Sequence, residues 1–187
     1  ATIEHGIKVL DSRETEDLTS LYNKKTPDMT IIKFVPASGA ASRMFKDLFA
    51  FIDEYDDSEA AYQEFSSNFP SVYAFFKRIN DFAFFPTLKK VYERGGSSLE
   101  EDLLKRKYKD ILKTLLFDEG MGYGNLPKGL LEFHSYEEGS RTPVEEHIVE
   151  GALYCKGRGD KVNIHFTVSP EHRERFLEKV TEVKAFY

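Results

Sequence analysis

Apolar residues along this chain follow two different spacings, and the change from one to the other divides the chain into segments. Residues 30–35 are mostly β-branched or aromatic, which predicts a buried strand. From residue 45 to about 118 the apolar residues recur at helical spacing, which predicts a run of helices. Short strand-like runs return after residue 120. The pattern therefore predicts an α/β protein in which a helical segment interrupts the strands.

The helical segment is punctuated by turn and cap signals. Its first helix is predicted over residues 44–55, close behind the first strand. The pair Gly95-Gly96 ends the earlier helices, and Ser98 with Glu101 forms a capping box that opens one long helix to about residue 118. The basic cluster at residues 105–109 is predicted to be the solvated face of that helix, with a polyanion site as the lesser alternative.

The pattern changes again in the last third of the chain. Three glycines at 120–124 predict a loop, residues 130–133 a short strand, and residues 137–139 the turn that reverses it. Thr142, followed by proline, is a typical N-cap for the next helix. Residues 162–168 predict a second core strand, with a final helix after it. Strands and helices in this order are typical of a sheet with parallel strands.

These elements predict three parts. Residues 1–27 form a lead-in segment, residues 28–44 and 119–187 form an α/β nucleotide-binding core, and residues 45–118 form an all-helical insertion. The sequence stops on apolar residues without a helix cap or a polar tail. We therefore expect the core to be truncated at its C-terminal end, in a chain that is a piece of a longer protein.

Composition narrows the classes of partner. The formal net charge is −6 and the pI is about 5.5, which argues against a nucleic-acid or membrane-binding surface. Cys155 is the single cysteine, so no internal disulfide can form. No apolar run approaches transmembrane length. A cytoplasmic protein is expected, and the sequence leaves its oligomeric state open.

A loop of small residues between the first strand and the first helix is the best candidate site. Such a junction exposes backbone N–H groups and the positive end of a helix dipole, which together attract anions. Arg43 adds a fork-shaped positive charge and is predicted one step inside the helix. Small side chains let a phosphate approach the backbone. The loop residues predicted to bind it are Ala37, Ser38, Gly39, Ala40, Ala41 and Ser42.

Two further motifs follow this loop in a characteristic order. Lys128 lies in Leu-Pro-Lys-Gly-Leu-Leu (126–131), and Arg-Thr-Pro-Val-Glu-Glu-His (141–147) opens a helix. Together with Ala-Ser-Gly-Ala-Ala-Ser-Arg-Met (37–44), they resemble the nucleotidyltransferases with a glycosyltransferase-A-like fold. Sugar-1-phosphate nucleotidyltransferases and UDP-sugar pyrophosphorylases are examples, and the chain resembles a bacterial branch of that superfamily. The resemblance covers residues 30–44 and 120–168, under half of the chain.

The resemblance implies a fold, a reaction and roles for individual residues. It implies a partial parallel or mixed sheet in three αβα layers, and catalysis by Arg43 and Lys128. Arg43 would face the β and γ phosphates of a nucleoside triphosphate, and Lys128 would offset charge near the α phosphate. The nucleotidyl group would pass to a phosphorylated small molecule, plausibly a sugar 1-phosphate, with Mg²⁺ and release of pyrophosphate. The sequence does not identify the metal ligands.

Two other functions stay open. Ala41 stands where the family has a second loop glycine, and the family's metal-holding aspartate is not found in the chain. Both features favour a non-catalytic domain of the same fold that binds a nucleotide, a phosphosugar or a partner protein. Glycosyl transfer from a nucleotide-sugar is a weaker alternative, because the chain has no Asp-x-Asp motif.

Aromatic side chains supply the last candidates. Tyr123, in the glycine loop before Lys128, is predicted to stack on a base or a sugar. An aromatic run could form a stacking surface, but packing between helices is the preferred interpretation. Its members are Tyr73, Phe75, Phe76, Phe82, Phe84 and Phe85. The histidines have no metal-ligand spacing.

Overall fold

The computed structural model describes residues 1–186, with side chains up to Ala185, so Tyr187 at the end of the predicted core lies outside the described residues. The helices are α1 Ser12–Lys25, α2 Lys46–Glu54, α3 Glu59–Gln63, α4 Phe65–Asn68, α5 Pro70–Lys77, α6 Phe85–Glu93, α7 Leu99–Leu104, α8 Tyr108–Leu116, α9 Pro143–Tyr154 and α10 Arg173–Phe186. The strands are β1 Thr2–Ile3, β2 Gly6–Ile7, β3 Ile32–Pro36, β4 His134–Tyr136, β5 Gly139–Arg141 and β6 Asn163–Thr167.

The strands confirm the α/β class but form only small sheets. Within residues 1–186, β1 pairs with β2, β3 with β6 and β4 with β5, each as a separate two-stranded sheet. The β4–β5 pair is an antiparallel hairpin with Tyr136 opposite Gly139, so the predicted turn at 137–139 is confirmed. No helix in this part of the chain is long and apolar enough to cross a membrane.

Contacts between residues divide the chain into two units. The first unit contains Ala1–Val35 and His147–Phe166, and the second contains Pro36–Glu146 and the residues from Thr167 onward. The predicted helical insertion, residues 45–118, therefore belongs to the same unit as the small-residue loop and residues 119–146.

The first unit is built on β3, β6 and α1. The side chain of Asp11 accepts a hydrogen bond from the Glu14 N–H, and Glu14 reciprocates at the Asp11 N–H, so a capping box starts α1. Loops tie the unit together through backbone carbonyls: Arg158 donates to Asp28 at 2.7 Å and Asn163 donates to Ile31 at 3.0 Å.

The second unit has an apolar core that the helical spacing predicts. It is formed by α2 and by α4 to α8 with the turns between them, and its centre is rich in aromatic rings. Phe51 is fully buried and stacks on Tyr55 with ring centroids 4.3 Å apart. The side chains buried most completely in this core are Phe51, Phe65, Val72, Leu88, Leu99, Ile111, Leu112, Leu115, Leu116 and Leu131.

The predicted long helix from Leu99 to about 118 is wrong, because it is broken between α7 and α8. Arg106 lies there with φ of 63°, a left-handed conformation that is unusual outside glycine. The Arg106 N–H donates to the Leu103 carbonyl, and the Lys107 N–H donates to the Asp102 carbonyl. This is the Schellman arrangement that ends helices, here with arginine at the position where glycine is usual.

Two element boundaries also differ from prediction. The first helix of the segment begins at Lys46 and not at residue 44, so Arg43 lies in the preceding turn and not inside a helix. The strand predicted at 130–133 is absent from the described residues. A 3₁₀ turn at Lys128–Leu130 takes its place, and pairing starts only at β4. By contrast, Thr142 caps α9 as predicted, because its hydroxyl accepts from the Glu145 N–H at 3.3 Å.

Candidate functional site

Two segments that are far apart in the sequence meet in the second unit. We call residues 37–43 the Gly39 loop and residues 125–128 the Lys128 loop. The Ala41 N–H donates to the Leu126 carbonyl at 3.3 Å, and the Lys128 N–H donates to the Gly39 carbonyl at 2.9 Å. Ala40 and Pro127 form the bridge pair between these two bonds. The two predicted phosphate-binding segments therefore lie side by side, although residues 45–118 separate them in the sequence.

The glycine loop at 120–124 explains why the Lys128 loop lies beside the Gly39 loop. The end of an α-helix leaves carbonyl groups without partners inside the helix. At the end of α8, the N–H groups of Met121, Tyr123 and Gly124 donate to the carbonyls of Thr114, Leu115 and Leu116 at 2.7, 3.0 and 2.9 Å. The loop thus caps the helix residue by residue, and it delivers the chain directly into the Lys128 loop.

Two of these glycines are required by close contacts with backbone. A Cβ atom on Gly120 would lie 2.0 Å from the carbonyl oxygen of Thr114, and one on Gly124 would lie 2.9 Å from that of Leu116. Because the contacted atoms belong to the helix backbone, they cannot move aside as a side chain would. Glycines directly after an apolar helical stripe are a helix C-cap signal, and that signal is present in the sequence of this loop.

Arg43 and Lys128 carry the positive charge of the two loops. Both side chains are exposed, and within residues 1–186 neither forms a hydrogen bond or an ion pair. Other basic residues of this unit are paired, as Lys107 is with the buried carboxylate of Asp102 at 3.1 Å. Arg43 and Lys128 are therefore available to an anionic ligand.

Some backbone N–H groups of the Gly39 loop donate hydrogen bonds within the fold, whereas others are exposed. Ala37 and Ala41 are buried, and their N–H groups donate to the carbonyls of Thr167 at 2.9 Å and Leu126 at 3.3 Å. The amides of Ala37 and Ala41, two of the residues predicted to bind phosphate, are therefore occupied by protein carbonyls. Ser38, Gly39, Ala40 and Ser42 are exposed, and among the described residues no acceptor is found for their N–H groups.

Gly39 itself has no role in the fold that requires glycine. Its φ lies outside the left-handed region, and a Cβ atom built on it would meet nothing within 4 Å. Elsewhere in the unit, at Gly120 and Gly124, packing explains the glycine. At Gly39 the missing side chain leaves the backbone open to solvent, as a close-approaching ligand would need.

Comparison with known proteins places the chain in a family. The family described as a domain of unknown function, DUF4301, matches residues 1–187. The chain belongs to this family. No curated protein and no solved structure matches it. The match to DUF4301 extends over both units and includes the Gly39 and Lys128 loops.

Tyr123 is not part of the candidate site in this DUF4301 chain. It is buried, with only 4% of its surface exposed, and its ring packs near those of Phe45 and Phe84 at centroid distances of 6.3 and 5.6 Å. Its hydroxyl accepts a hydrogen bond from the Glu132 N–H at 3.2 Å, and burial raises its pKa. Because the ring is buried in the core, it is not accessible for the stacking on a base or sugar that the sequence predicts.

The described residues contain no preformed binding site for the Mg²⁺ ion that the resemblance implies. Within residues 1–186 there is no group of three or more histidine, cysteine, aspartate or glutamate side chains that could hold a metal ion. Mg²⁺ is often held by one or two carboxylates together with substrate phosphates.

A separate charged cluster lies in the first unit. Lys33 forms an ion pair with Glu150 and a 3.1 Å hydrogen bond to the Tyr154 hydroxyl, while His147 lies 3.1 Å from the Glu150 carboxylate. The Lys33 hydrogen bond lowers the pKa of Glu150 to about 2, although partial desolvation opposes the shift. Desolvation alone would lower the pKa of Lys33, but its bonds to Glu150 and Tyr154 outweigh it and raise the pKa.

The ion pair between Lys33 and Glu150 should make the folded chain less stable in acid. Glu150 has a lower pKa in the folded chain than its ordinary value of 4.5, so the pair stabilises the fold above that pH. The contribution is lost as the pH falls from 4.5 towards 2. Because 40% of the Glu150 side chain is exposed, solvent screens the pair and we expect about 1 kcal/mol.

Urea unfolding between pH 6 and pH 2.5 would check this contribution. Glu150→Gln should reduce the free energy of unfolding at pH 6 and should unfold with a shallower pH dependence than the wild type. Glu178→Gln is the matched control, because Glu178 is exposed and forms no ion pair within the described residues. Equal pH slopes for the wild type and Glu150→Gln would contradict the assignment.

Proposed function

We propose that this chain contains a nucleotidyltransferase-like site that binds a nucleoside triphosphate between the Gly39 and Lys128 loops. One observation carries the proposal. The loops that bear Arg43 and Lys128 are joined by two backbone hydrogen bonds, and both cations are exposed and unpaired within the described residues. Exposed backbone amides next to two cations are suited to a polyanion such as a triphosphate.

The proposed reaction transfers the nucleotidyl group to a phosphorylated small molecule, plausibly a sugar 1-phosphate. An acceptor phosphate oxygen attacks the α phosphorus, the bond from that phosphorus to its bridging oxygen breaks, and pyrophosphate leaves with the electron pair. Such transfers depend on positioning and on charge stabilisation rather than on a nucleophilic side chain. Arg43 and the amides of Ser38, Gly39, Ala40 and Ser42 would hold the leaving phosphates, and Lys128 would offset charge at the α phosphate.

A non-catalytic domain that binds a nucleotide or phosphosugar is the second candidate. Two amides of the Gly39 loop are bonded to protein carbonyls, and α2 begins only at Lys46, so the loop offers fewer donors than the resemblance implies. Incubation with labelled triphosphates and sugar 1-phosphates would separate the two functions. Release of pyrophosphate that depends on Arg43 supports transfer, and Arg43-dependent binding without release supports the non-catalytic domain.

Arg43→Ala should weaken binding of the triphosphate at least tenfold. Loss of one hydrogen-bonded charge contact usually costs about 1.5–3 kcal/mol of binding free energy, and the Arg43 side chain forms no hydrogen bond or ion pair with the described residues that the mutation would break. Calorimetric titration with ATP, GTP, CTP and UTP would measure the effect, with Lys128→Ala as the second test. Arg13→Ala, the same change at an exposed and unpaired arginine of α1, is the control. Equal affinities for wild type and Arg43→Ala would rule out the proposed site.

Gly39→Ala should weaken binding of the triphosphate without lowering the stability of the fold. A methyl group at Gly39 contacts nothing in the fold, and replacing glycine lowers the entropy of the unfolded chain, so the free energy of unfolding should stay equal or rise by about 0.5 kcal/mol. The same methyl group would stand where a phosphate approaches the backbone, and affinity for the triphosphate should fall. Thermal unfolding with and without ligand measures both effects. Unchanged affinity would show that phosphate does not contact this backbone.

A further inference from the structure

A cleft of about 640 Å³ begins at the residue after Arg43. Its lining includes Met44 and Phe45, which follow Arg43 in the chain, and Phe133, which lies beyond the Lys128 loop. Phe75 of α5 and the turn before α6, with Phe82 and Phe84, supply the aromatic part of the wall. A cleft of this size, mainly apolar with a few polar groups, is typical of small-molecule sites, which measure about 300–1,000 Å³.

The aromatic wall is a cluster of three rings. Phe82 and Phe84 are nearly parallel, with centroids 5.1 Å apart and an angle of 10° between their planes, and Phe75 lies 5.0 Å from Phe82. Phe84 is buried in the core, whereas 36% of Phe82 is exposed. Phe82 is therefore an exposed ring whose position is fixed by its two neighbours, and little side-chain entropy is lost when a ligand covers it.

Oriented polar groups border these rings. Glu132 lines the cleft, and its carboxylate accepts hydrogen bonds from Thr87 at 2.9 Å and Ser140 at 2.6 Å. Arg78 and Asp81, which also line the cleft, form an ion pair with Nε and Oδ2 2.9 Å apart. A flat ring with hydrogen-bonding groups on its edge is complementary to this combination of an apolar stacking face and fixed polar neighbours.

We propose that this cleft holds the base of the nucleotide whose phosphates bind at Arg43 and Lys128, with the base stacked on Phe82. The inference rests on the proposed function, since it takes the ligand to be a nucleotide. Met44 lines the cleft and follows Arg43 directly in the chain. Adjacent Cα atoms are 3.8 Å apart, so the cleft begins within one residue of the proposed phosphate site. The helical segment 45–118 thus has a role: it supplies the aromatic rings that recognise the base.

A tryptophan reporter tests the stacking directly. The chain contains no tryptophan, so Phe82→Trp introduces a single indole that keeps an aromatic face in the cleft. Saturating ATP, GTP, CTP or UTP should quench its fluorescence, and inorganic tripolyphosphate should not. Phe117→Trp is the matched control, because Phe117 is 38% exposed but does not line the cleft. Equal quenching of both variants would overturn the proposal.

Calorimetry on the wild type, Phe82→Ala and Arg43→Ala separates failure of this inference from failure of the proposed function. Phe82→Ala should weaken nucleotide binding about 10- to 100-fold and leave binding of tripolyphosphate unchanged.

If tripolyphosphate binds in an Arg43-dependent way but nucleotides bind no more tightly, the phosphate site stands and the base site is overturned. If nucleosides quench Phe82→Trp while tripolyphosphate does not bind, the base site stands and the phosphate site fails. Binding of octyl phosphate as tight as that of the nucleotides would overturn base stacking, as would no binding of any of these ligands.

Discussion

Phe51→Ala is expected to lower the free energy of unfolding by about 3–5 kcal/mol, the range observed when a buried phenylalanine is truncated. Phe51 is fully buried, and its ring contacts those of Tyr55, Phe65 and Phe69 at centroid distances of 4.3, 5.2 and 5.1 Å. Truncation removes apolar surface from the core and leaves a cavity among large rings that cannot all move inward. Against a typical total of about 5–15 kcal/mol, this loss threatens the second unit.

Equilibrium unfolding in urea, followed by circular dichroism, would measure the loss at Phe51. Leu104→Ala is the control, because 83% of Leu104 is exposed and its truncation should change the free energy by less than about 0.5 kcal/mol. A loss below about 1 kcal/mol for Phe51→Ala would mean that the rings close around the gap. The packing at the centre of this core would then be looser than described above.

Gly120→Ala is expected to cost about 3 kcal/mol of stability through a clash with backbone. The added methyl group would lie 2.0, 2.7 and 2.8 Å from three backbone atoms of Thr114. Relief of this clash requires the loop to leave the end of α8, which breaks the 2.7 Å hydrogen bond from Met121 to the Thr114 carbonyl. The Lys128 loop, which follows directly, would then move relative to the Gly39 loop.

Chemical unfolding would measure the cost of Gly120→Ala, and nucleotide titration of the folded fraction would detect the displaced site. Gly95→Ala is the matched control, since its methyl group would make only an ordinary 3.6 Å contact with the Tyr92 carbonyl oxygen. We expect Gly95→Ala to be neutral or slightly stabilising. If both variants unfold at the same urea concentration, residues 120–124 do not hold the end of α8 as described.

Local features of the fold could be predicted from the sequence because neighbouring residues determine them. Helical spacing gives the helices of the second unit, and the hydroxyls of Ser98 and Thr142 cap helices as predicted. The break at Arg106 could not be predicted, since helix propensity favours arginine. It is held by distant partners: the Arg106 guanidinium lies 3.3 Å from the ring centroid of Tyr62 and donates to Glu59 at 2.7 Å.

The candidate site could be predicted only in part, because some of its features depend on residues that are distant in the sequence. The sequence suggested that the loops of Gly39 and Lys128 act together, and the structure brings them together. Which amides of the Gly39 loop are occupied depends on Thr167 and Leu126, whose positions no local pattern reveals. The burial of Tyr123 likewise depends on the rings of Phe45, directly before α2, and Phe84, directly before α6. The roles of Arg43 and Lys128 in binding stay predictions.

The bridge between Ala40 and Pro127 also bears on the order of folding. Contacts between successive helices close short loops, whereas this bridge must close the whole of residues 41–126. Pairings between distant parts of a chain generally form late, after local structure has made the ends easier to bring together. The helices of the second unit can therefore form while the Gly39 and Lys128 loops are still apart. Any ligand that needs both loops would then bind only chains that have completed this last closure, and it would select against partly folded forms.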